Sequence, residues 1–295
     1  IIKLLFTVTI LFFISQLLDY EKLINALLIA KKELLFFAFL FVPVWIGLKS
    51  LKWKILLSAF WPETSMLLAC RSFLGGLGPG LLTPGKVGEF TRTFYLPYDN
   101  NFKVISLVIL DRYIDLVSLL FLSSVGISHF IGLYFGIGVV IFGIFGIALF
   151  HIFPILIKKI GRILAKYKFP PKIFLRLEDI SKIKPVFFYK SLLISSLSMI
   201  VSIFTSFLVL NSFITTKMSL IYTVFPLTIL TNVLPITIGN LGVREGATIM
   251  LLKEFEIRSE IAFNTSIILF FLHSLLPSII GTFFIQLKQR EKQSQ

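Results

Sequence analysis

The chain has little of what soluble catalysis is usually built from. It contains one cysteine, three histidines and only 15 acidic residues in a length of 295. A single cysteine, Cys70, excludes an internal disulfide framework and a cysteine-rich metal site. His129, His151 and His273 stand apart from one another and from acids, so no metal set is expected, and a lone histidine in an apolar stretch reads as hydrogen-bonded packing. No GxxxxGK[ST], HExxH or GxSxG motif is present, and no polar segment is large enough for a soluble catalytic fold. The chain is therefore not expected to hydrolyse ATP, and no cofactor is expected.

Charge is scarce as well. Only 15% of residues are charged, 56% are apolar, and the mean hydropathy is +0.92, which places the chain in the polytopic membrane class. Its net charge of +14 does not argue for nucleic acid, because the basic residues are concentrated. Ten Lys or Arg lie between Lys158 and Lys190, against Glu178 and Asp179, as the positive-inside rule expects of a cytoplasmic loop. Such a loop is also drawn to anionic headgroups.

Spanning takes roughly 20 mostly apolar residues. Suitable stretches run near 1–18, 34–51, 104–127, 131–152, 191–213 and 262–287. The first, with Lys3 beside it and no small-residue cleavage site, reads as a retained helix rather than a signal. Two shorter helix pairs remain, 66–80 with 86–98 and 218–234 with 243–255. Trp45, Trp53 and Trp61 mark one expected membrane edge. A cytoplasmic 153–190 loop, together with Lys49, Lys52 and Lys54 on the same side, makes the first pair re-enter from the cytoplasm and the second from outside. The expectation is an all-α integral membrane helix bundle, with about six spanning helices and two re-entrant helical hairpins in an inverted repeat. The repeats are 34–127 and 191–287, within a single transmembrane domain over 1–295, joined by a basic cytoplasmic linker at 153–190 with an interfacial segment near Ile155 to Leu177.

Each short pair is joined by a Gly/Pro interruption followed by an acid and a base. The first is Gly75-Gly76-Leu77-Gly78-Pro79-Gly80, running into Thr83-Pro84-Gly85-Lys86-Val87-Gly88-Glu89; the second runs from Pro235 through Gly239 and Gly242 to Arg244 and Glu245. Broken backbone at membrane depth persists only inside protein or along a polar cavity, and paired breaks point to a transporter-type site. Pro84, Pro235 and Gly239 are the expected break residues. If the second helix of each pair starts there, its free N–H groups make an anion site. Lys86, Arg92 and Arg244, with Gly85 and Gly242, are then the candidates for holding a lipid phosphate.

A second constellation, Asp111-Arg112-Tyr113-Ile114-Asp115, lies inside an apolar span. Charges there are expensive and have named partners. Asp111 and Asp115 share a face, Arg112 can pair with Asp115, and Glu89 with Arg92. Arg92 or Arg244 would complete the set. Glu89, Asp111, Arg112, Asp115 and Glu245 thus form an ion-pair set or a site for an amine or a proton. Neighbours do not face each other on a helix, so Arg244 and Glu245 are expected to reach different partners. Arg71 reads as a snorkelling edge residue, and Asn232, Asn240 and Asn264 as caps or partners for broken backbone.

The run from Leu82 to Arg92, the Asp111-Arg112 pair with Asp115, and the run Leu234 to Gly246, in that order, resemble the lysylphosphatidylglycerol synthase transmembrane family, also called the flippase-like domain family. The chain is similar to the stand-alone kind, so the resemblance implies lipid handling or translocation rather than lysyl transfer. Asn240 stands where many members have a second Gly. Three readings stay open: a lipid flippase, a transferase or partner subunit acting on polyprenol-phosphate-linked sugars with Asp111 or Glu89 as base, and a small-solute secondary transporter. The expected partners are membrane lipids with anionic phosphate headgroups and no nucleic acid; a lipid-synthesising or glycan-assembly enzyme and a second copy of the chain stay open. The expected location is the plasma membrane, multi-pass, with the C-terminus and the 153–190 loop cytoplasmic.

Overall fold

The computed structural model describes residues 16, 18–98, 101–166, 179–231 and 237–283, and these contain helices and no strand. The helices are α1 (Tyr20–Ile29), α2 (Lys32–Leu57), α3 (Met66–Leu82), a 3-10 helix (Pro84–Tyr95), α4 (Asn101–Phe130), α5 (Leu133–Lys166), α6 (Pro185–Phe213), α7 (Met218–Leu230), α8 (Val243–Lys253) and α9 (Ser259–Phe270). A short 3-10 turn, Ile238–Asn240, precedes α8, and a π-turn, Phe271–Leu275, carries α9 onward to Phe283. The expected first span at 1–18, the break residue Pro235, residues 167–178 of the basic linker and the basic tail from Lys288 lie outside the described residues, apart from the end of that first span.

Four described helices are long and apolar enough to cross a membrane: Lys32–Leu57, Leu133–Leu156, Pro185–Phe213 and Ser259–Phe283. Helix α4 has 30 residues, about 45 Å at 1.5 Å per residue, but carries Asp111, Arg112 and Asp115. With four such helices, the chain is a polytopic helical membrane protein. Helix α1, held by the Asp19 carboxylate on the N–H groups of Glu21 and Lys22, is an element the apolar pattern did not suggest. The helix after residue 131 also runs past 152 to Lys166 rather than ending at the linker.

Helices α2 and α6 pack along each other at the centre. Helix α6 is buried there through Ser191, Ser195, Ser198 and Ser202, small residues that let helix backbones approach closely. Of these hydroxyls, Ser198 donates locally, to the Ser195 carbonyl at 2.7 Å. Helix α5 sits outside, against α4. Only 11% of its apolar window is buried, and Phe135, Ile141, Phe142 and Phe145 are exposed, as a lipid-facing helix requires. Trp53, expected at a membrane edge, is instead fully buried and donates to Ser72.

The two short pairs cross to the opposite halves of the chain. Helix α4 lies on α7, and a Cβ at Gly126 would overlap the Thr223 carbonyl. The extension of α9 lies on α3, and a Cβ at Gly281 would overlap the Leu74 carbonyl. The first pair folds tightly. Its second member is a 12-residue 3-10 helix, not the expected α-helix. Pro84 occupies its first position, where a missing N–H costs nothing. A 3-10 helix eclipses residues three apart, so Glu89, Arg92 and Tyr95 form one ridge. That ridge meets Gly80, Gly76 and Gly75 of α3, where any Cβ would run into these side chains. The glycine run is therefore a groove inside a continuous helix, and the break comes at Thr83.

The tightest approach is at Gly88, where a Cβ would overlap the Pro79 carbonyl and crowd the Gly80 nitrogen. Gly88→Ala is expected to cost about 1–3 kcal/mol by overpacking. Gly47→Ala, with nothing within 4 Å, is expected to be neutral. Thermal unfolding of both variants in detergent checks the pair.

A buried charge cluster between two helix breaks

The two interruptions meet. The Ile238–Asn240 turn packs against both α3 and the 3-10 helix, and a Cβ at Gly239 would lie 3.1 Å from Leu81 Cδ1. Their backbones also match. Lys86 has φ 57° and Asn240 φ 58°, each following a glycine and each two residues before another, in Gly85-Lys86-Val87-Gly88 and Gly239-Asn240-Leu241-Gly242. A left-handed residue at such a place is strained unless its surroundings hold it. Asn240 earns its position by donating 2.7 Å to the Thr231 carbonyl at the end of α7, the expected repair of broken backbone. Gly88 N–H donates to Thr83 Oγ1 at 2.6 Å, and Thr83 Oγ1 donates to the Pro79 carbonyl at 2.8 Å, which closes the first break.

Beneath the first break lies a network built from α2, the 3-10 helix, α4 and α6. Lys52 is buried with Nζ 2.7 Å from both Asp111 Oδ1 and Asp115 Oδ1, and it donates to the Asp111 carbonyl at 3.1 Å. Lys49 and Ser195 donate to the same Asp115 oxygen at 2.8 and 2.6 Å. Arg92 joins Glu89 at 2.9 Å to Asp111 Oδ2 at 3.0 Å. Its guanidinium lies 5.1 Å from the Trp53 ring and 4.9 Å from Phe73, both cation–π distances. Arg112 pairs with Glu89 and stands 3.7 Å from Asp115 Oδ2. The Asp111 face, the Glu89–Arg92 pair and the Arg112–Asp115 pair thus form as the spacing predicts.

Sequence reasoning missed Lys49, Lys52 and Ser195. The lysines were read as a positive flank of a span, yet both are buried ion-pair partners. Their spacing of three in an otherwise apolar helix, the counterpart of Asp111 and Asp115, was the usable signal. Ser195 carried none, because serines recur along the whole face of α6.

The second break is organised differently from the expectation. Arg244 and Glu245 pair with each other, because the first turn of α8 lets both long side chains curl onto Ser266 of α9. Arg244 Nε donates to Ser266 Oγ at 3.1 Å, and its guanidinium sits 4.7 Å from the Phe270 ring. The Gly242 N–H donates to Glu245 Oε2 at 2.6 Å. The α8 N-terminus therefore already holds a carboxylate, its own, and the Gly242 amide is not free for an anion. With the other break opening a 3-10 helix, the expected pair of α-helix N-termini facing an anion is replaced by side-chain charge.

Counting that charge identifies the unusual residues. Lys49, Lys52, Arg92 and Arg244 are buried, and so are Glu89, Asp111, Asp115 and Glu245, so four cations face four carboxylates. Lys86 and Arg112, both half-buried, are left over. Lys86 Nζ makes no hydrogen bond or ion pair with a described residue, and its charged neighbours are Arg112, Asp115, Arg244 and Arg92. Arg112 Nε, Arg92 Nε and Thr237 Oγ1 are buried without a hydrogen-bond partner among the described residues. His273, which the sequence left unassigned, stands on the π-turn against Trp45 and also has an Nε2 without a partner among the described residues. Arg71 is exposed, as a snorkelling residue would be. A surface cleft of about 650 Å³ lined by His129, Thr216, Lys217, Glu254 and Glu256 shares no residue with this cluster.

Removing one partner of a buried pair strands the other charge, at about 3–5 kcal/mol. Lys52→Met is expected to destabilise the protein by that order, and adding Asp111→Asn is expected to recover part of the loss. A double-mutant cycle in thermal unfolding measures the coupling.

None of the curated proteins compared with the chain matches it. A family model described as the lysylphosphatidylglycerol synthase TM region matches residues 1–281, a stretch that contains both breaks, all ten charged residues counted above and every described helix but the last two residues of the α9 extension. The chain belongs to the lysylphosphatidylglycerol synthase transmembrane-region family.

Proposed function

We propose that this protein binds the phosphate headgroup of an anionic lipid between its two helix breaks and carries it across the bilayer while the tails stay in lipid. The observation that carries this reading is the Lys86–Arg112 pair. Two cations whose charges act on each other sit half-buried in an apolar bundle whose eight buried charges sum to zero; Lys86 has no partner among the described residues, and Arg112 shares Glu89 with Arg92. Like charges in a poorly solvated place repel strongly, and a phosphate between them removes the repulsion. The unpartnered Arg112 Nε adds a donor suited to a phosphate oxygen.

The inverted repeat belongs to this reading. The reciprocal crossings of α4 on α7 and of the α9 extension on α3, each at a glycine, and the shared left-handed residue at 86 and 240, support two halves of opposite orientation. Such an arrangement gives one site alternating access to the two leaflets. A plasma membrane location with the 153–190 loop on the cytoplasmic side fits the charge distribution. The transferase reading draws no support from the cluster, because Glu89 and Asp111, its two proposed bases, are each held by two cations.

The test is headgroup movement of a fluorescent anionic phospholipid in proteoliposomes of the purified protein. Lys86→Gln and Arg112→Gln are each expected to slow it about ten- to hundredfold, the equivalent of one charge-assisted hydrogen bond of about 1.5–3 kcal/mol. Exchange no faster than in protein-free vesicles would sink the proposal.

A further inference from the structure

We infer that the headgroup taken by this site is doubly negative, a terminal phosphate such as a phosphomonoester or diphosphate, and not the net-cationic headgroup of an aminoacylated phospholipid. The inference rests on the reading above and deepens it by naming the class of ligand.

The fully buried part of the cluster is neutral, with Lys49, Lys52, Arg92 and Arg244 against Glu89, Asp111, Asp115 and Glu245. Its carboxylates are engaged: Asp115 by Lys49, Lys52 and Ser195, Asp111 by Lys52 and Arg92, Glu89 by Arg92 and Arg112, and Glu245 by Arg244 and the Gly242 amide. Among the described residues of the cluster every carboxylate has a cation at ion-pair distance; Asp111 Oδ1, which accepts no hydrogen bond, lies 2.7 Å from Lys52 Nζ, so none is free to receive the ammonium of a lysyl or similar headgroup. What remains is the charge of Lys86 and Arg112, two units in all. A phosphodiester, with one negative charge, neutralises half of that. A terminal phosphate carries about 1.5 to 2 negative charges at neutral pH and three acceptor oxygens.

The donors match that chemistry. Lys86, its backbone in the left-handed region at the break, offers an ammonium with no partner among the described residues. Arg112 offers Nε, and Arg92 Nε and Thr237 Oγ1 are the other buried donors still without acceptors around the two breaks. These are groups whose hydrogen-bonding capacity is costly to leave unused. A bound anion of one charge would leave both a net cation and orphaned donors behind.

Short-chain phosphatidic acid, phosphatidylglycerol, lysyl-phosphatidylglycerol and inorganic phosphate, titrated separately into the purified full chain in detergent, test this by calorimetry. Phosphatidic acid is expected to bind about tenfold tighter than phosphatidylglycerol, with lysyl-phosphatidylglycerol weakest. Arg112→Gln is expected to erase the preference for phosphatidic acid, Arg112→Lys to keep most of it, and Arg71→Gln, on the exposed face of α3, to leave the order unchanged. Equal affinity for phosphatidic acid and phosphatidylglycerol, or tightest binding of the lysyl lipid, would overturn this inference while leaving an anion- or lipid-binding site in place. Failure of all three lipids to bind would overturn the proposed function itself. Inorganic phosphate binding as tightly as phosphatidic acid would support the doubly charged preference and overturn the lipid as its source.

Discussion

The structure depends on how the carboxylates of α4 are neutralised. Asp111 and Asp115 stand on one face of a long helix in an otherwise apolar bundle, and an isolated charge there is prohibitively costly. Lys52 lies between the two, Lys49 and Ser195 complete Asp115, and Arg92 completes Asp111. The same contacts fix four elements relative to one another: α2, the 3-10 helix, α4 and α6. Such pairs are weak sources of stability compared with a well-packed apolar core, but they are specific, because one misplaced helix leaves a charge bare. The network acts as a register for the bundle, and the apolar clusters around Trp53, Phe73 and Phe188 pack on the arrangement it sets.

Once that register is set, the two breaks acquire different jobs. At the second, Glu245 turns back onto the α8 amide and pairs with Arg244, so that break is closed electrostatically. At the first, the 3-10 geometry lines Glu89 and Arg92 up against a glycine groove and buries both. Lys86, in the left-handed region near the start of that helix, stays half-buried and feels the charge of Arg112. The asymmetry of the two breaks therefore comes with a local difference of helix type, a 3-10 helix opened by Pro84 and packed on the glycines of α3 against an α-helix at the second break.

The family resemblance and the physics reinforce each other without duplicating each other. Family membership, over residues 1–281, says what kind of protein this is and that its chain belongs in a membrane. It does not say which charges are spent on architecture. That separation comes from burial and charge balance: the eight buried central charges sum to zero, Arg112 shares Glu89 with Arg92, and Lys86 pairs with no described residue.

The amino-acid pattern alone determined the membrane class, the extent of most helices, the location of both breaks and that Glu89, Arg92, Asp111, Asp115 and Arg244 are charges within the apolar bundle, because hydropathy, Gly/Pro punctuation and charge inside apolar runs are local signals. The same local logic misplaced Trp53 and the pair Lys49 and Lys52, since a cationic or aromatic residue near the end of an apolar run looks alike whether it meets headgroups or a carboxylate from a helix some 60 positions away. Separating Arg244 from Glu245 failed for a related reason: side-chain direction in a first helical turn depends on what lies opposite, here Ser266 of α9. Only the tertiary structure decided which charges cancel, because ion pairing is set by distance in space between elements remote in the chain, and that cancellation leaves the charge of Lys86 and Arg112 as the excess of the cluster.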